Sequence, residues 1–285
     1  HSVETAKERA AEIAHQHPIT WLSSIDELPK VIDLCIIATS AGVRAMLTEK
    51  LLEHATVGHL ILEKVLFTQL VQYERINQLL EDKNTPCTVN HPRRMYEAYQ
   101  FIQEQLESYT GTTQMRVNGH NWGLGCNGLH FLDMFYFITG HAPTHISTAN
   151  IDPAYFESKR AGYIEFNGTL EASSEQGDRC TITCVDGPSQ PIAVIIEKGP
   201  LRFDITEGRE FRVELLYQNN PEKNQSYAFI GPFQGELSKV LVDRTYDRLN
   251  TGLPNYMEAQ TLHLPFITAF LQLFNGDLSS ELPIT

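Results

Sequence analysis

Along the first 110 residues, uninterrupted apolar runs alternate with segments whose apolar side chains recur every three or four positions. The run over 33–39 ends in Ala38-Thr39-Ser40 and reads as a strand buried on both faces, as strands of parallel sheets are. A second run ends at His59-Leu60-Ile61-Leu62, and a short one covers 86–90. Between them lie helical periodicities over 43–54, 70–80 (Leu70, Tyr73, Ile76 and Leu80, with Thr68 placed to cap) and 96–106. A helix is also expected over 4–16, with Ala6, Ala10, Ile13 and Ala14 on one stripe. Strands separated by helices of this length predict β–α–β units, hence a parallel sheet with right-handed crossovers.

Beyond about residue 112 the pattern changes. One helix, over 128–139, is apolar nearly all round (Leu129, Phe131, Leu132, Met134, Phe135, Phe137, Ile138) and is expected to be buried. Strand patterns follow at 163–170, 180–185, 192–197, 201–205 and 211–217. Cys180, Ile182 and Cys184 alternate with Thr181 and Thr183, giving one buried face and one polar face. Gly and Pro at 186–188 and 199–200 fit antiparallel turns. The stretch 218–234 reads as irregular, and helices over 237–249 and 258–274 close the pattern. The expected class is α/β: a Rossmann-like parallel-sheet domain over 1–110, and an α+β domain over 111–285 with a large, mainly antiparallel open sheet.

The first domain is read as N-terminally incomplete. A Rossmann-like half opens with a strand, a G-x-G-x-x-G turn and a helix. No G-x-G-x-x-G is read anywhere in the chain, and the first helix fits the place after a second strand. A strand–helix–strand unit of roughly 30 residues is expected ahead of His1, or else was never part of the chain.

Charge narrows the partners. A net charge of −13 weighs against a nucleic-acid backbone, which is bound through Lys and Arg, though a local basic cluster can still hold a small phosphate or nucleotide. No run approaches the roughly 18 apolar residues of a membrane span, and the polar start is not a secretory signal. Cysteines 35, 87, 126, 180 and 184 form no C-x-x-C pair. Neither zinc nor a disulfide framework is expected, and a reducing cytoplasm is.

Glu63 and Lys64 stand where an apolar strand ends, the edge at which open α/β sheets take ligands. The segment Cys126-Asn127-Gly128-Leu129-His130-Phe131-Leu132-Asp133 supplies a histidine, and together the lysine and histidine make a proton-handling pair. On spacing alone Lys64 also reads as a surface lysine and His130 as a hydrogen-bonded core residue. Asp133, one turn on, either orients His130 or belongs to a structural network; no third ligand joins them as a metal site. Arg93 and Arg94, and the doublet Lys159-Arg160, read either as solvated charge or as holders of an anionic ligand. Trp122, beside His120 and Asn121, offers an aromatic face to a sugar.

With strand-end Thr39, Glu63-Lys64, and Gly128-Leu129-His130 followed by Asp133, the chain resembles the glucose–fructose oxidoreductase / inositol dehydrogenase / MocA (Gfo/Idh/MocA) family. The likeness extends to Asn90-His91-Pro92-Arg93-Arg94, to 158–163 and to the closing Leu282-Pro283-Ile284-Thr285. Segments 232–237 and 262–266 resemble members from surface-polysaccharide gene clusters. The resemblance implies a two-domain oxidoreductase using NAD or NADP on a sugar, cyclitol or sugar nucleotide, assembled as a homodimer or tetramer. It implies that Lys64 contacts the reacting hydroxyl and cofactor ribose, easing a developing alkoxide, and that His130 is the general acid/base. Cofactor contacts would come from Ala38, Thr39, Ser40, Glu63, Lys64, Asn90 and Arg94, and substrate contacts from Cys126, Asn127, Asp133, Trp122, Lys159 and Arg160.

Two positions depart from the family pattern. Val65 stands where Glu-Lys-Pro is usual, and Cys126 stands where an aspartate often lies four residues before the histidine. A carboxylate there orients or charges the histidine; a thiol with a free pKa of about 8.5 does so poorly. Cys126 and the absent opening turn favour a rival reading, a non-catalytic relative acting as a sugar or cofactor sensor or a scaffold subunit.

Overall fold

The computed structural model describes residues 7–8, 11, 19–247 and 250–285. The helix expected over 4–16 therefore lies outside the described residues apart from Lys7, Glu8 and Ala11.

Strands β1 (Val31–Ile37), β2 (Thr56–Glu63) and β3 (Cys87–Asn90) form a parallel sheet in the order β1-β2-β3. Helices α1 (Ala41–His54), α2 (Leu70–Asp82) and α3 (Glu97–Glu107) follow the three strands in turn. Leu60, Ile61 and Leu62 are all buried, as a central parallel strand requires. The register pairs Ile37 with Leu62 and Glu63 with Asn90, so the three strands end level. Their ends carry Ala38–Ser40, Glu63-Lys64 and Asn90-His91 to one edge. At α2 the expected cap is displaced by one residue: Gln69 forms a reciprocal capping box with Gln72, while Thr68 donates to Glu281 at 2.9 Å.

The second domain is built on an eight-stranded sheet in the order β13-β12-β11-β10-β4-β9-β8-β5. Its strands are β4 (Thr113–His120), β5 (His145–Ile151), β8 (Gly168–Ser173), β9 (Arg179–Val185), β10 (Ile192–Lys198), β11 (Leu201–Glu207), β12 (Glu210–Tyr217) and β13 (Gln225–Ile230). All neighbours are antiparallel except β4 and β9. Cys180, Ile182 and Cys184 are buried and alternate with half-buried threonines, as their pattern predicts. The buried face packs on α4 (Leu124–Thr139) and α6 (Tyr256–Phe274), whose Phe131, Phe135, Phe266 and Phe270 are fully buried. A further helix, α5 (Gln234–Tyr246), packs through Leu237 and Leu241 against Ile61 and Met95 of the first domain.

The structure adds strands that the sequence reading omits. β4 lies at the middle of the large sheet, and β13 occupies part of 218–234, taken as irregular. β13 is an edge strand that buries little; only Tyr227 and Phe229 pack inward, on Phe101. The single strand expected over 163–170 divides into β7 (Ile164–Glu165), paired with β6 (Phe156–Glu157), and β8. Gly168 makes the break: it adopts φ +132°, and a Cβ there would lie 2.5 Å from the Asn150 carbonyl oxygen.

Candidate functional site

The site forms where the first domain's strand ends meet the N-terminus of α4. Lys64 leaves β2 and crosses to α4, where its Nζ donates to the Cys126 carbonyl oxygen at 2.8 Å and approaches the thiol at 3.4 Å. The Lys64–Val65 peptide is cis. Glu63 accepts from the Asn90 amide at 2.6 Å, joining β2 to β3 at the same edge. Thr39 Oγ1 is sealed from solvent with no hydrogen-bond partner, so a polar atom at the end of β1 has bonding capacity in hand. The first amide of α1, Ala41 N–H, donates to Thr285 Oγ1 at 2.9 Å, and the Cys126 thiol donates to the Thr285 carbonyl oxygen.

Two residues outside the sequence-based set hold this edge together. Arg44, buried on α1, donates to the carbonyl oxygens of Thr39 and Val65, and to that of Leu66 at 2.9 Å. Burial lowers its pKa to about 10, opposed by the nearby Glu63 carboxylate. Glu165, from β7, accepts from Gly125 N–H at 2.8 Å and Cys126 N–H at 3.1 Å. Its carboxylate thus satisfies open amides at the positive end of α4, although burial lifts its pKa above the usual range. The residues Gly123-Leu124-Gly125-Cys126-Asn127-Gly128 have G-x-G-x-x-G spacing between a strand and a helix, a match that the sequence reading passed over. The structure gives this match another purpose. A Cβ on Gly123 would lie 2.5 Å from the Glu165 carboxylate and one on Gly128 would lie 3.3 Å from Phe266, so the glycines admit protein side chains.

His130 projects from α4 into the same region. Its Nδ1 is sealed and unpartnered, while Nε2 is not among the sealed atoms. Burial first, then the charges of Lys64 and Arg93, hold its pKa well below the ordinary imidazole value. At neutral pH His130 is therefore uncharged, as a base must be before it takes a proton. Arg93 lies with its guanidinium 4.2 Å from the centre of the Phe131 ring and makes a two-point ion pair with Glu207 of β11, at 2.9 and 2.7 Å. That pair ties the two domains beside His130.

Other expected residues are placed differently. Asp133 is fully buried and binds Arg94 at 2.6–3.0 Å, so it is turned away from His130 and from any substrate. Arg94 is spent on Asp133 and on Glu258 at 2.6 Å, which removes it from the cofactor edge as a free cation. Trp122 is half-buried and packs edge-to-face on Phe131, with ring centres 5.3 Å apart. Asn127 donates to the Trp122 carbonyl oxygen, fixing the turn before α4. Lys159 and Arg160 are exposed on the loop between β6 and β7, and the charge of Arg160 acts against that of Arg44. A cleft of about 320 Å³ opens beside Glu207, between Tyr96, Arg209, Phe211 and Phe233.

Among the described residues, no group of three or more His, Cys, Asp or Glu side chains is arranged to hold a metal ion, and no helix is long and apolar enough to cross a membrane. Ser174, Asp178 and His141 cluster at the far end of the sheet, but the serine hydroxyl donates to Asp178 at 2.9 Å, as His141 does at 2.8 Å. With no base on the hydroxyl, this grouping activates no nucleophile.

Residues 2–91 match the family model described as an oxidoreductase family with an NAD-binding Rossmann fold, GFO_IDH_MocA. No curated protein matches the chain by sequence. Solved structures share its fold at low identity. An oxidoreductase from Agrobacterium radiobacter, in complex with NAD+, L-tartaric acid and magnesium, aligns with a TM-score of 0.67 at 16% identity over 86% of this chain and 79% of its own. UDP-N-acetylglucosamine 3-dehydrogenase GnnA from Acidithiobacillus ferrooxidans gives 0.68 at 12% identity over 94% and 86%. A super-repressor mutant of Gal80p from Saccharomyces cerevisiae gives 0.71 at 13% identity over 96% and 88%.

Proposed function

We propose that this chain is a Gfo/Idh/MocA oxidoreductase that moves a hydride between nicotinamide and a secondary alcohol or keto group of a sugar, cyclitol or sugar nucleotide, a reading supported by the family-model match over residues 2–91 and by the fold it shares with solved oxidoreductases. The observation that carries this reading is the convergence of Lys64, from the end of β2, with the N-terminal turn of α4 that also bears His130. An ammonium and a neutral imidazole from two domains meet at the edge where parallel sheets take their ligands.

The residues present suit the nicotinamide half of NAD or NADP: an unsatisfied Thr39 hydroxyl, the neighbouring Ala38 and Ser40, and the Glu63–Asn90 pair. When bound, the cofactor supplies the hydride acceptor or donor. The protein's own part is positional and acid–base. Lys64 points its ammonium at the reacting oxygen, stabilising negative charge that builds there. His130 Nε2 takes the hydroxyl proton in oxidation and returns it in reduction. Cys126 and Asn127 border this point, and Lys159 and Arg160 face an anionic portion of the substrate from the loop above. The cleft at Glu207 gives an extended substrate room, with the Arg209 guanidinium 3.8 Å from the centre of the Phe233 ring. The polar open face of the eight-stranded sheet would form the contact of a homodimer or tetramer.

Turnover is the test. With NAD+ or NADP+ and a panel of sugars, cyclitols and sugar nucleotides, wild-type protein is expected to reduce nicotinamide with at least one compound. Lys64→Ala is expected to lower kcat by about 10²–10⁴-fold, the range for losing one positioned acid–base or electrostatic group, with its melting temperature unchanged. Full turnover by Lys64→Ala would reject the site. A non-catalytic sensor is the second reading, and one observation favours it: the only side chain beside Lys64 at the aspartate position is a thiol. Cofactor binding without turnover of any compound would support that reading.

A further inference from the structure

Four nitrogen atoms in one buried row have no protein partner: His130 Nδ1, both ring nitrogens of His91, and His263 Nε2. The rings stand edge to face, with centres 5.7 Å apart between His130 and His91 and 5.5 Å between His91 and His263. His91 and His263 are completely buried. A neutral imidazole still carries one N–H, and an unpaired buried donor costs about 1–3 kcal/mol. A contiguous row of such atoms therefore calls for a reason. Packing alone does not supply one, because a phenyl ring fills the same space without the penalty.

The surroundings give the row a direction. His130 Nδ1 is sealed without a partner, whereas Nε2 is not among the sealed, unpartnered atoms. His91 Nδ1 lies 3.9 Å from Asp133 Oδ2, a small ring rotation short of a hydrogen bond. His263 Nδ1 is 2.8 Å from the Ala259 carbonyl oxygen, to which it donates, so in the neutral ring its Nε2 is only an acceptor. The charged groups around the row are Arg44 on α1, Lys64 after β2, Arg93 and Arg94 after β3, Asp133 on α4, Glu258 on α6 and Glu207 on β11. A proton taken up by His130 faces Lys64 and Arg93, which repel it. Asp133 is the anion within reach of the row, and Arg94 keeps Glu258 as a partner if Asp133 becomes neutral.

Resting on the reaction set out above, we propose that His130, His91 and Asp133 form an internal proton relay that carries the substrate's hydroxyl proton inward to the Asp133 carboxylate. The substrate O–H bond breaks as His130 Nε2 takes the proton. His130 Nδ1 releases its own proton to one nitrogen of His91, directly or through a water held in the row. His91 gives up the proton on its other nitrogen to Asp133 Oδ2, which becomes a carboxylic acid. The carbon's electron pair leaves with the hydride, so the imidazoles end neutral and only Asp133 has gained a proton. Reduction runs the same steps backwards. Burial raises the Asp133 pKa to about 6, within range of neutral pH.

Infrared difference spectra of the full-length protein without substrate test the relay independently of turnover. A protonated-carboxyl C=O band is expected to appear as pH falls through about 6 and to be missing in Asp133→Asn. If Asp133→Asn does not fold, aspartate-labelled wild-type protein identifies the band by its isotope shift. His91→Phe keeps the ring volume and is expected to lower kcat at least tenfold, leave KM within twofold, and remove the pH step near 6. No titrating carboxyl between about pH 5 and 8 would overturn the relay, as would a His91→Phe enzyme with wild-type kcat and pH profile. If no compound is turned over, the reaction reading fails on its own account and the infrared band still decides whether Asp133 takes a proton.

Discussion

The contact between Lys64 and Cys126 sets the electrostatics of the site. The thiol at 3.4 Å gives Lys64 no counter-charge, and His130 feels the cations Lys64 and Arg93 with no carboxylate among the neighbours that shift it. Replacing Cys126 by Asp puts a negative charge beside both, so the His130 pKa is expected to rise toward its ordinary value of about 6.5. An NMR titration of the His130 ring would read this; an unmoved midpoint would mean that position 126 does not act on the histidine. The placement of Lys64 at a strand end and of His130 on a buried helix is legible in the sequence, because one ends an apolar run and the other lies on a helix apolar nearly all round. Arg44, Glu165 and His91 are not. Their partners lie on other elements, as with Glu165 and Gly125, 40 residues apart, and no periodicity records such a meeting. Asp133 lies one helical turn from His130 in sequence, and of the two readings that spacing leaves open its bond to Arg94 favours the structural network.

Elements were legible where one face is continuously apolar. β2 and α4 fall near their expected places because the end of β2 and nearly the whole circumference of α4 are buried, whereas β1, expected to be buried on both faces, is an edge strand in which only Ile37 is buried and Val31 and Ile36 are exposed. β4 was missed although Met115 and Val117 are buried between half-buried Gln114 and Arg116; its apolar signal is only two residues long. Gly168 lies at an element boundary that backbone geometry sets and hydrophobicity does not. Gly168→Ala would force a Cβ against the Asn150 carbonyl at a φ that L residues rarely adopt, and is expected to cost about 1–3 kcal/mol. Chemical denaturation reads the loss, and a wild-type midpoint would mean that the 150–168 register can relax freely. At the N-terminus of α4, Glu165→Gln removes charge but keeps an acceptor. A loss of about 0.3–1 kcal/mol is expected there, the worth of an anion at a helix start, and the loss should exceed that only if Lys64 depends on the same carboxylate.

Across the whole molecule, the histidine row sets a pH dependence of stability. His91, His130 and His263 have folded pKa values well below about 6.5, the unfolded value, whereas Asp133 is raised to about 6. Below pH 6.5 the unfolded chain binds three protons that the folded protein refuses. The folded protein in turn binds one at Asp133 that the unfolded chain accepts only near its own value of about 3.9. The net difference of about two protons corresponds to a loss of up to about 2.7 kcal/mol per pH unit below 6. Stability is thus fully present above pH 6.5 and lost as pH falls toward the folded histidine values. Melting temperature measured from pH 7.5 to 5 should fall steeply, and less steeply in His263→Leu; parallel curves would contradict the burial of neutral imidazoles.

Whether this protein handles nicotinamide is decided by cofactor titration. Melting temperature and tryptophan fluorescence would be followed as NAD+, NADH, NADP+ and NADPH are added. A ligand at a hundred times its Kd stabilises by about 2.7 kcal/mol. Saturable stabilisation by at least one of the four is expected, weakened in Thr39→Val. No shift with any of them at millimolar concentration would contradict it and leave a Rossmann-like scaffold without its cofactor.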